Sequence, residues 1–243
     1  MHLSPDLSDV TFVVDEITFA AHKMLLVARS QYFRALFLDG LKESNEDTVV
    51  LKETSAFAFG VLLNLRYIYT GKLSLKKCSE EQVMDILRTA HMYCLVKLEK
   101  AVAGYLKTIV NCQNVCTILN FSLLYSLGDL RKFCHTFTRQ NSRQVLASQG
   151  FLLLSADAVS QLLDSGYYDC DEILIFRAVR DWIKAHQEIQ VNTEEMVKKC
   201  VCLSRIRLVD LLKEVRPSGL VREGTILDAI EEQKSIMHWI DGK

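Results

Sequence analysis

The sequence predicts an α+β protein of two domains, residues 1–110 and residues 111–243. Two observations support this prediction. The first part contains short runs of β-branched and aromatic residues among helical patterns, which predicts a short three-stranded sheet with about five helices. In the second part the strand pattern disappears and helical periodicity continues, which predicts an all-α domain.

Three short strands are predicted in the first domain. Residues 9–14 and 17–20 are rich in Val, Thr, Ile and Phe, and only Asp15 and Glu16 separate them, so the pair predicts a β-hairpin. The turn lacks an Asn-Gly pair, so this prediction depends on the flanking residues. Residues 48–51 form the third predicted strand.

Helical spacing and helix-terminal signals predict the helices of the first domain. Ser79 and Gln82 form a capping box, in which each side chain satisfies a backbone N–H group at the helix start. Thr70-Gly71 ends a long helix, because glycine accepts the left-handed conformation of a helix C-cap. The predicted helices cover residues 23–29, 30–38, 55–69, 79–94 and 98–109.

The second domain is predicted from helical patterns alone. Phe176, Val179 and Trp182 fall on one face of a helix and predict a core stripe. A break at residues 217–219 precedes a final helix that opens near Thr225. The remaining predicted helices cover residues 113–125, 127–138, 142–146, 155–163, 171–186, 194–199 and 209–215.

Charge and hydropathy narrow the function classes. The formal net charge is −1, whereas a nucleic-acid partner would need a basic excess. A charge-free window covers residues 108–128, but its Asn and Gln side chains favour parts of two helices outside a membrane. Residues 1–10 carry no apolar signal core. We therefore expect no nucleic-acid partner, no membrane, and a cytoplasmic or nuclear location.

The sequence contains no P-loop, G-x-S-x-G, H-E-x-x-H or Rossmann glycine pattern. Most of its eight cysteines lie in apolar helical patterns, so we interpret them as buried thiols. Three pairs of residues could offer ligands to zinc: His91 with Cys94, Cys112 with Cys116, and Cys200 with Cys202. Their spacings match no standard zinc-binding pattern. Adjacent Cys134 and His135 point about 100° apart on a helix, which disfavours a nucleophile pair. We expect no enzyme activity, no catalytic residue, no metal and no cofactor.

Several stretches carry a family resemblance. Residues 8–14, 19–23, 28–37 and 67–71 resemble a BTB (POZ) domain in order, spacing and residue type. Residues 150–155 and 172–182 resemble a BACK domain. More narrowly, residues 113–116, 124–127 and 215–220 resemble the BTB/POZ domain-containing protein 9 type of the BTB–BACK family.

The resemblance implies a protein-interaction function. Such proteins commonly bind the cullin-3 N-terminal domain with the BTB domain and the first BACK helices, act as substrate adaptors of a ubiquitin ligase, and form homodimers through the BTB domain. A separate domain would hold the substrate, whose identity the sequence does not give. The residues expected at the cullin surface are Leu62, Tyr67, Tyr69, Tyr93, Phe121 and Tyr125. Plain core packing is the alternative for these residues.

The resemblance also implies a role for Asp9, His22 and Lys23, which match recurring polar positions of the family. They are expected to orient the hairpin and first helix near a dimer interface, or to form hydrogen bonds within one subunit. The sequence departs from the family pattern in two ways. No Asp or Glu occurs in residues 54–79, where cullin-binding members often carry one, which favours an alternative function, a BTB–BACK dimerisation or scaffold protein that does not recruit cullin. Only eight residues precede Asp9, whereas dimeric members usually have an extra helix and strand there, so part of the usual dimer interface is expected to be missing.

Overall fold

The computed structural model describes residues 7–40, 46–64, 67–70, 73–164, 168, 170–188 and 192–241, with the backbone alone for residues 64, 69, 70 and 236–241. Backbone contacts divide the chain into two compact units, Met1–Ile109 and Val110–Lys243. The described part of the first unit mixes strands and helices, and that of the second is helical. The predicted α+β fold class is therefore confirmed.

A three-stranded sheet begins the first unit. Strands β1 (Val10–Val14) and β2 (Ile17–Ala21) form the predicted antiparallel hairpin, with Phe12 opposite Phe19. Strand β3 (Thr48–Val50) lies parallel to β1 on its other side, giving the order β2-β1-β3.

The hairpin turn is made without glycine. Asp15 and Glu16 both have positive φ, 47° and 65°, the conformation that matches the twist of a two-residue hairpin turn. The Asp15 carboxylate accepts a hydrogen bond from the backbone N–H of Ala56 at 3.1 Å. Since Ala56 is the first residue of a helix, Asp15 also satisfies a free donor at that helix start.

Six helices are described in the first unit. Ser79 accepts from the Gln82 N–H at 3.2 Å and Gln82 accepts from the Ser79 N–H at 3.0 Å, so the predicted capping box is confirmed. The predicted helix 55–69 is described as two segments, and residues 65, 66 and 71 lie outside the described residues. The helices are α1 (Lys23–Arg29), α2 (Gln31–Leu38), α3 (Ala56–Asn64), α4 (Tyr67–Thr70), α5 (Glu80–Met92) and α6 (Val96–Ile109).

An aromatic cluster forms the core of the first unit. Phe12, Phe33, Phe59 and Tyr93 are all at most 1% exposed. Phe12 lies 5.5 Å from Phe33 and 5.3 Å from Phe59, and Tyr93 lies 5.1 Å from Phe33, measured between ring centroids. The cluster therefore ties β1 to α2, α3 and the end of α5.

The second unit has no strand among its described residues. Phe176, Val179 and Trp182 are buried, which confirms the predicted core stripe, and the Trp182 indole N–H donates to the Leu154 carbonyl at 2.8 Å. A π-helical segment (Leu211–Val215) follows α14. The α-helices are α7 (Val115–Leu124), α8 (Gly128–Gln140), α9 (Ser142–Leu146), α10 (Gln149–Leu152), α11 (Ala156–Leu163), α12 (Glu172–Ala185), α13 (Thr193–Cys200), α14 (Leu208–Asp210) and α15 (Glu223–Asp241).

Candidate protein-interaction surfaces

Two residues that were expected at the cullin surface lie in the core. Leu62 is 0% exposed and Tyr93 is 1% exposed. The Tyr93 hydroxyl needs no contact with water, because it forms a hydrogen bond with the Thr54 hydroxyl at 2.6 Å. The expectation that Leu62 and Tyr93 contact a partner directly is therefore wrong, and both residues stabilise the first unit by packing.

Tyr67 lies at the start of α4 and is half-buried. Partial burial raises the pKa of its phenol, and the nearby positive charge of Arg29 acts in the opposite direction. A half-buried tyrosine offers an apolar ring with a hydroxyl group that can still reach a partner. Tyr67 is thus partly accessible and its place at a cullin surface stays a prediction, whereas the side chain of Tyr69 lies outside the described residues.

An open groove of about 430 Å³ adjoins Tyr67, and we call it the Tyr67 groove. Its lining comes from the end of α1, the start of α2, α4, and the turn that leads into α6. The residues that matter for its chemistry are Val27, Arg29, Arg34, Tyr67, Val96 and Lys97. The sequence interpretation missed its cations, because no local pattern joins residues that lie in separate elements.

A second surface is formed by the carboxyl-terminal part of α7 in the second unit. Phe121 and Tyr125 are half-buried, with ring centroids 5.8 Å apart. Leu124, which lies between them in the sequence, is 70% exposed. We call these three residues the α7 patch. The neighbouring Asn120 fixes the segment, because its side chain donates to the Leu153 carbonyl and accepts from the Ser155 N–H. Phe121 and Tyr125 therefore have partly accessible rings beside an exposed leucine, a composition common at protein interfaces.

Asp9, His22 and Lys23 meet where the hairpin joins α1. The Asp9 carboxylate accepts from the Lys23 backbone N–H at 2.7 Å. The Lys23 ammonium donates to the Glu46 carbonyl at 3.2 Å and lies 5.3 Å from the centre of the Phe37 ring. His22 is the N-cap residue of α1. Asp9 and Lys23 thus form hydrogen bonds within one chain, and their orienting role near a dimer interface stays a prediction.

The cysteines fall into three groups, so the interpretation of most of them as buried is only partly right. Cys116, Cys134 and Cys200 are buried, while Cys94 and Cys202 are exposed and the other three are intermediate. Burial raises the pKa of Cys116 to about 12 and that of Cys200 to about 11, which keeps both thiols protonated at neutral pH.

The described residues contain no group of three or more His, Cys, Asp or Glu side chains able to hold a metal ion. The Nδ1 atom of His91 lies 2.8 Å from a carboxylate oxygen of Glu99, so this ring nitrogen already has a hydrogen-bond partner. Within the described chain, none of the helices has the length and apolar character needed to cross a membrane.

Comparison with known proteins identifies the class of protein that this fold and these surfaces represent. A family model of the BTB/POZ domain matches residues 1–110, and the BACK model (BTB And C-terminal Kelch) matches residues 115–216. The chain therefore belongs to the BTB–BACK family, whose two domains are those of adaptor and scaffold proteins.

The particular relatives agree with the narrower resemblance. BTB/POZ domain-containing protein 9 of Rattus norvegicus is 42% identical over 230 residues, which cover 94% of this chain and 37% of that protein. The Homo sapiens protein of the same name is 41% identical over the same shares. Kelch-like protein 6 of Homo sapiens is 32% identical over 179 residues, 73% of this chain and 28% of that protein. The chain thus spans only 37% of the two BTB/POZ domain-containing protein 9 relatives and 28% of Kelch-like protein 6.

Proposed function

We propose that this chain is a substrate-adaptor module of a cullin-3 RING ubiquitin ligase. The observation that carries the proposal is a BTB domain followed by a BACK domain, an order shared with Kelch-like proteins. The adaptor binds the cullin-3 N-terminal domain and contributes proximity, while other subunits make the covalent bonds. A homodimer formed through the BTB domain would present two ligase arms and add avidity.

The Tyr67 groove and the α7 patch are the surfaces that support cullin binding. Tyr67 is half-buried beside apolar Val96, which is 55% exposed. In the α7 patch, Leu124 is 70% exposed, and the Phe121 and Tyr125 rings lie 5.8 Å apart. At most interfaces only a handful of residues cost about 2 kcal/mol or more when truncated, so a few such residues can account for most of the affinity of a complex.

The test is a calorimetric titration of the purified chain with the cullin-3 N-terminal domain. We expect Leu124→Asp to weaken binding by about tenfold or more, since it places a charge in an apolar contact. Leu227→Asp is the matched control, because Leu227 is also exposed, at 59%, but belongs to α15. Absence of binding by the wild-type chain at about 50 μM of each protein would contradict the proposal, since a micromolar complex is well populated there.

One observation favours a second candidate, a BTB–BACK scaffold that self-associates or binds other partners without recruiting cullin. Residues 54–79 contain no Asp or Glu, where cullin-binding members of the family often carry an acidic residue. Light scattering and the titration together would distinguish the two candidate functions. A stable dimer that does not bind cullin supports the scaffold, whereas cullin binding excludes it.

A further inference from the structure

The Tyr67 groove carries a concentration of positive charge. Arg29 at the end of α1, Arg34 in α2 and Lys97 in α6 all line it, and all three side chains are exposed. No Asp or Glu is among the lining residues that the structure describes. The formal net charge of the whole chain is only −1. The charge is therefore a local property of this groove.

Within the described part of the chain, no carboxylate neutralises the three cations. Among the described residues, none of Arg29, Arg34 and Lys97 forms an ion pair with a carboxylate. Several other arginines form ion pairs, for example Arg88 with Asp85. Like charges gathered around one groove repel one another, and an anionic partner would relieve that repulsion.

The groove also offers apolar contact. Val27 and Leu95 line it beside the half-buried Tyr67, and Val96 at its edge is 55% exposed. Its volume of about 430 Å³ has room for a few side chains. A small inorganic anion would leave this apolar surface uncovered, whereas a peptide segment that carries both acidic and apolar side chains would use both features.

We propose that the Tyr67 groove binds an acidic segment of the partner protein, in which carboxylates face Arg29, Arg34 and Lys97 and an apolar side chain packs beside Tyr67. This inference rests on the proposed function, with the cullin-3 N-terminal domain as the partner.

The experiment measures binding of the cullin-3 N-terminal domain to charge-reversal variants of the full chain. Arg34→Glu and Lys97→Glu should each weaken binding by about fivefold or more, because each replaces attraction by repulsion. Arg34→Lys keeps the charge and should bind within about twofold of the wild type. Lys52→Glu is the control, since Lys52 is also exposed in the first unit but does not line the groove. Thermal melts confirm that each variant is folded.

Ionic strength provides a second readout. Raising the salt concentration from about 50 mM to about 300 mM should weaken the wild-type complex and narrow its difference from Arg34→Glu. If cullin binds and both glutamate variants bind like the Lys52→Glu control, the inference is overturned while the proposed function stands. If the wild-type chain does not bind cullin at all, the proposed function and this inference both fail.

Discussion

The hydroxyl group of Tyr93 allows a sharp test of how the core of the first unit is stabilised. Tyr93 is 1% exposed, and its hydroxyl lies 2.6 Å from the Thr54 hydroxyl. Tyr93→Phe removes this hydrogen bond and leaves the ring in place, so the stacking on Phe33 at 5.1 Å is kept. The substitution therefore isolates one buried polar contact from the surrounding aromatic packing.

The loss of stability expected for Tyr93→Phe depends on whether the Thr54 hydroxyl keeps a hydrogen-bond partner. In the Tyr93→Phe variant the Thr54 hydroxyl still donates to the Lys52 carbonyl at 3.3 Å, so it is not left without a partner. We therefore expect a loss of about 1 kcal/mol in the free energy of unfolding, below the ~3 kcal/mol upper range for an orphaned buried group. Tyr93→Ala also removes the ring and should cost about 3–5 kcal/mol.

The assay is urea denaturation followed by circular dichroism for the wild type, Tyr93→Phe, Thr54→Val and the double variant. The two single substitutions should be non-additive by about 1 kcal/mol, because each removes the same hydrogen bond. A Tyr93→Phe variant as stable as the wild type, together with strict additivity in the double variant, would refute this account of the contact.

The same residue gives a prediction for pH dependence. Burial raises the pKa of Tyr93 from its ordinary value of 10.0 to about 12 in the folded chain. Between these values the unfolded chain loses the phenolic proton more readily, so stability present below pH 10 is lost as the pH rises towards 12. Tyr93→Phe should therefore show a shallower decline of stability in this pH range, and equal slopes for both proteins would contradict the assignment.

Three further substitutions test local packing and capping by urea denaturation. Gly150→Ala should destabilise the chain by about 1–3 kcal/mol, because the added Cβ would lie 2.9 Å from the Gln113 carbonyl oxygen. Gly104→Ala in α6 meets nothing within 4 Å and should stabilise by up to about 1 kcal/mol, so equal effects of the two substitutions would contradict the packing argument. Ser79→Ala should cost about 1 kcal/mol through loss of the capping box, and an unchanged midpoint would show that the cap contributes little.

Local signals predicted much of the fold. The hairpin, the capping box of Ser79 and Gln82, and the core stripe of α12 depend on neighbours in the sequence, and all three are confirmed. The hairpin turn shows what a local pattern leaves out. Asp15 has the positive φ that glycine would adopt more easily, but glycine could not accept the hydrogen bond from Ala56. The choice of residue in this turn is therefore explained by a helix 41 positions away.

The candidate surfaces were harder to predict, for a physical reason. Tyr67 and Tyr93 both lie at a helix terminus, yet Tyr67 is half-buried and Tyr93 is fully buried. The difference comes from Thr54 and Phe33, which are distant in sequence and close to Tyr93 in space. The cations of the Tyr67 groove likewise come from three helices. Burial and clustering of this kind depend on tertiary contacts, which periodicity does not encode.

The junction between the hairpin and α1 has a consequence for self-association. The Asp9 carboxylate is satisfied by the Lys23 amide of its own chain, and the Lys23 ammonium by the Glu46 carbonyl. If two copies pair as proposed, each already has these hydrogen bonds within its own chain. Pairing would then not be needed to satisfy these groups, and the dimer population would depend on protein concentration and on competing partners.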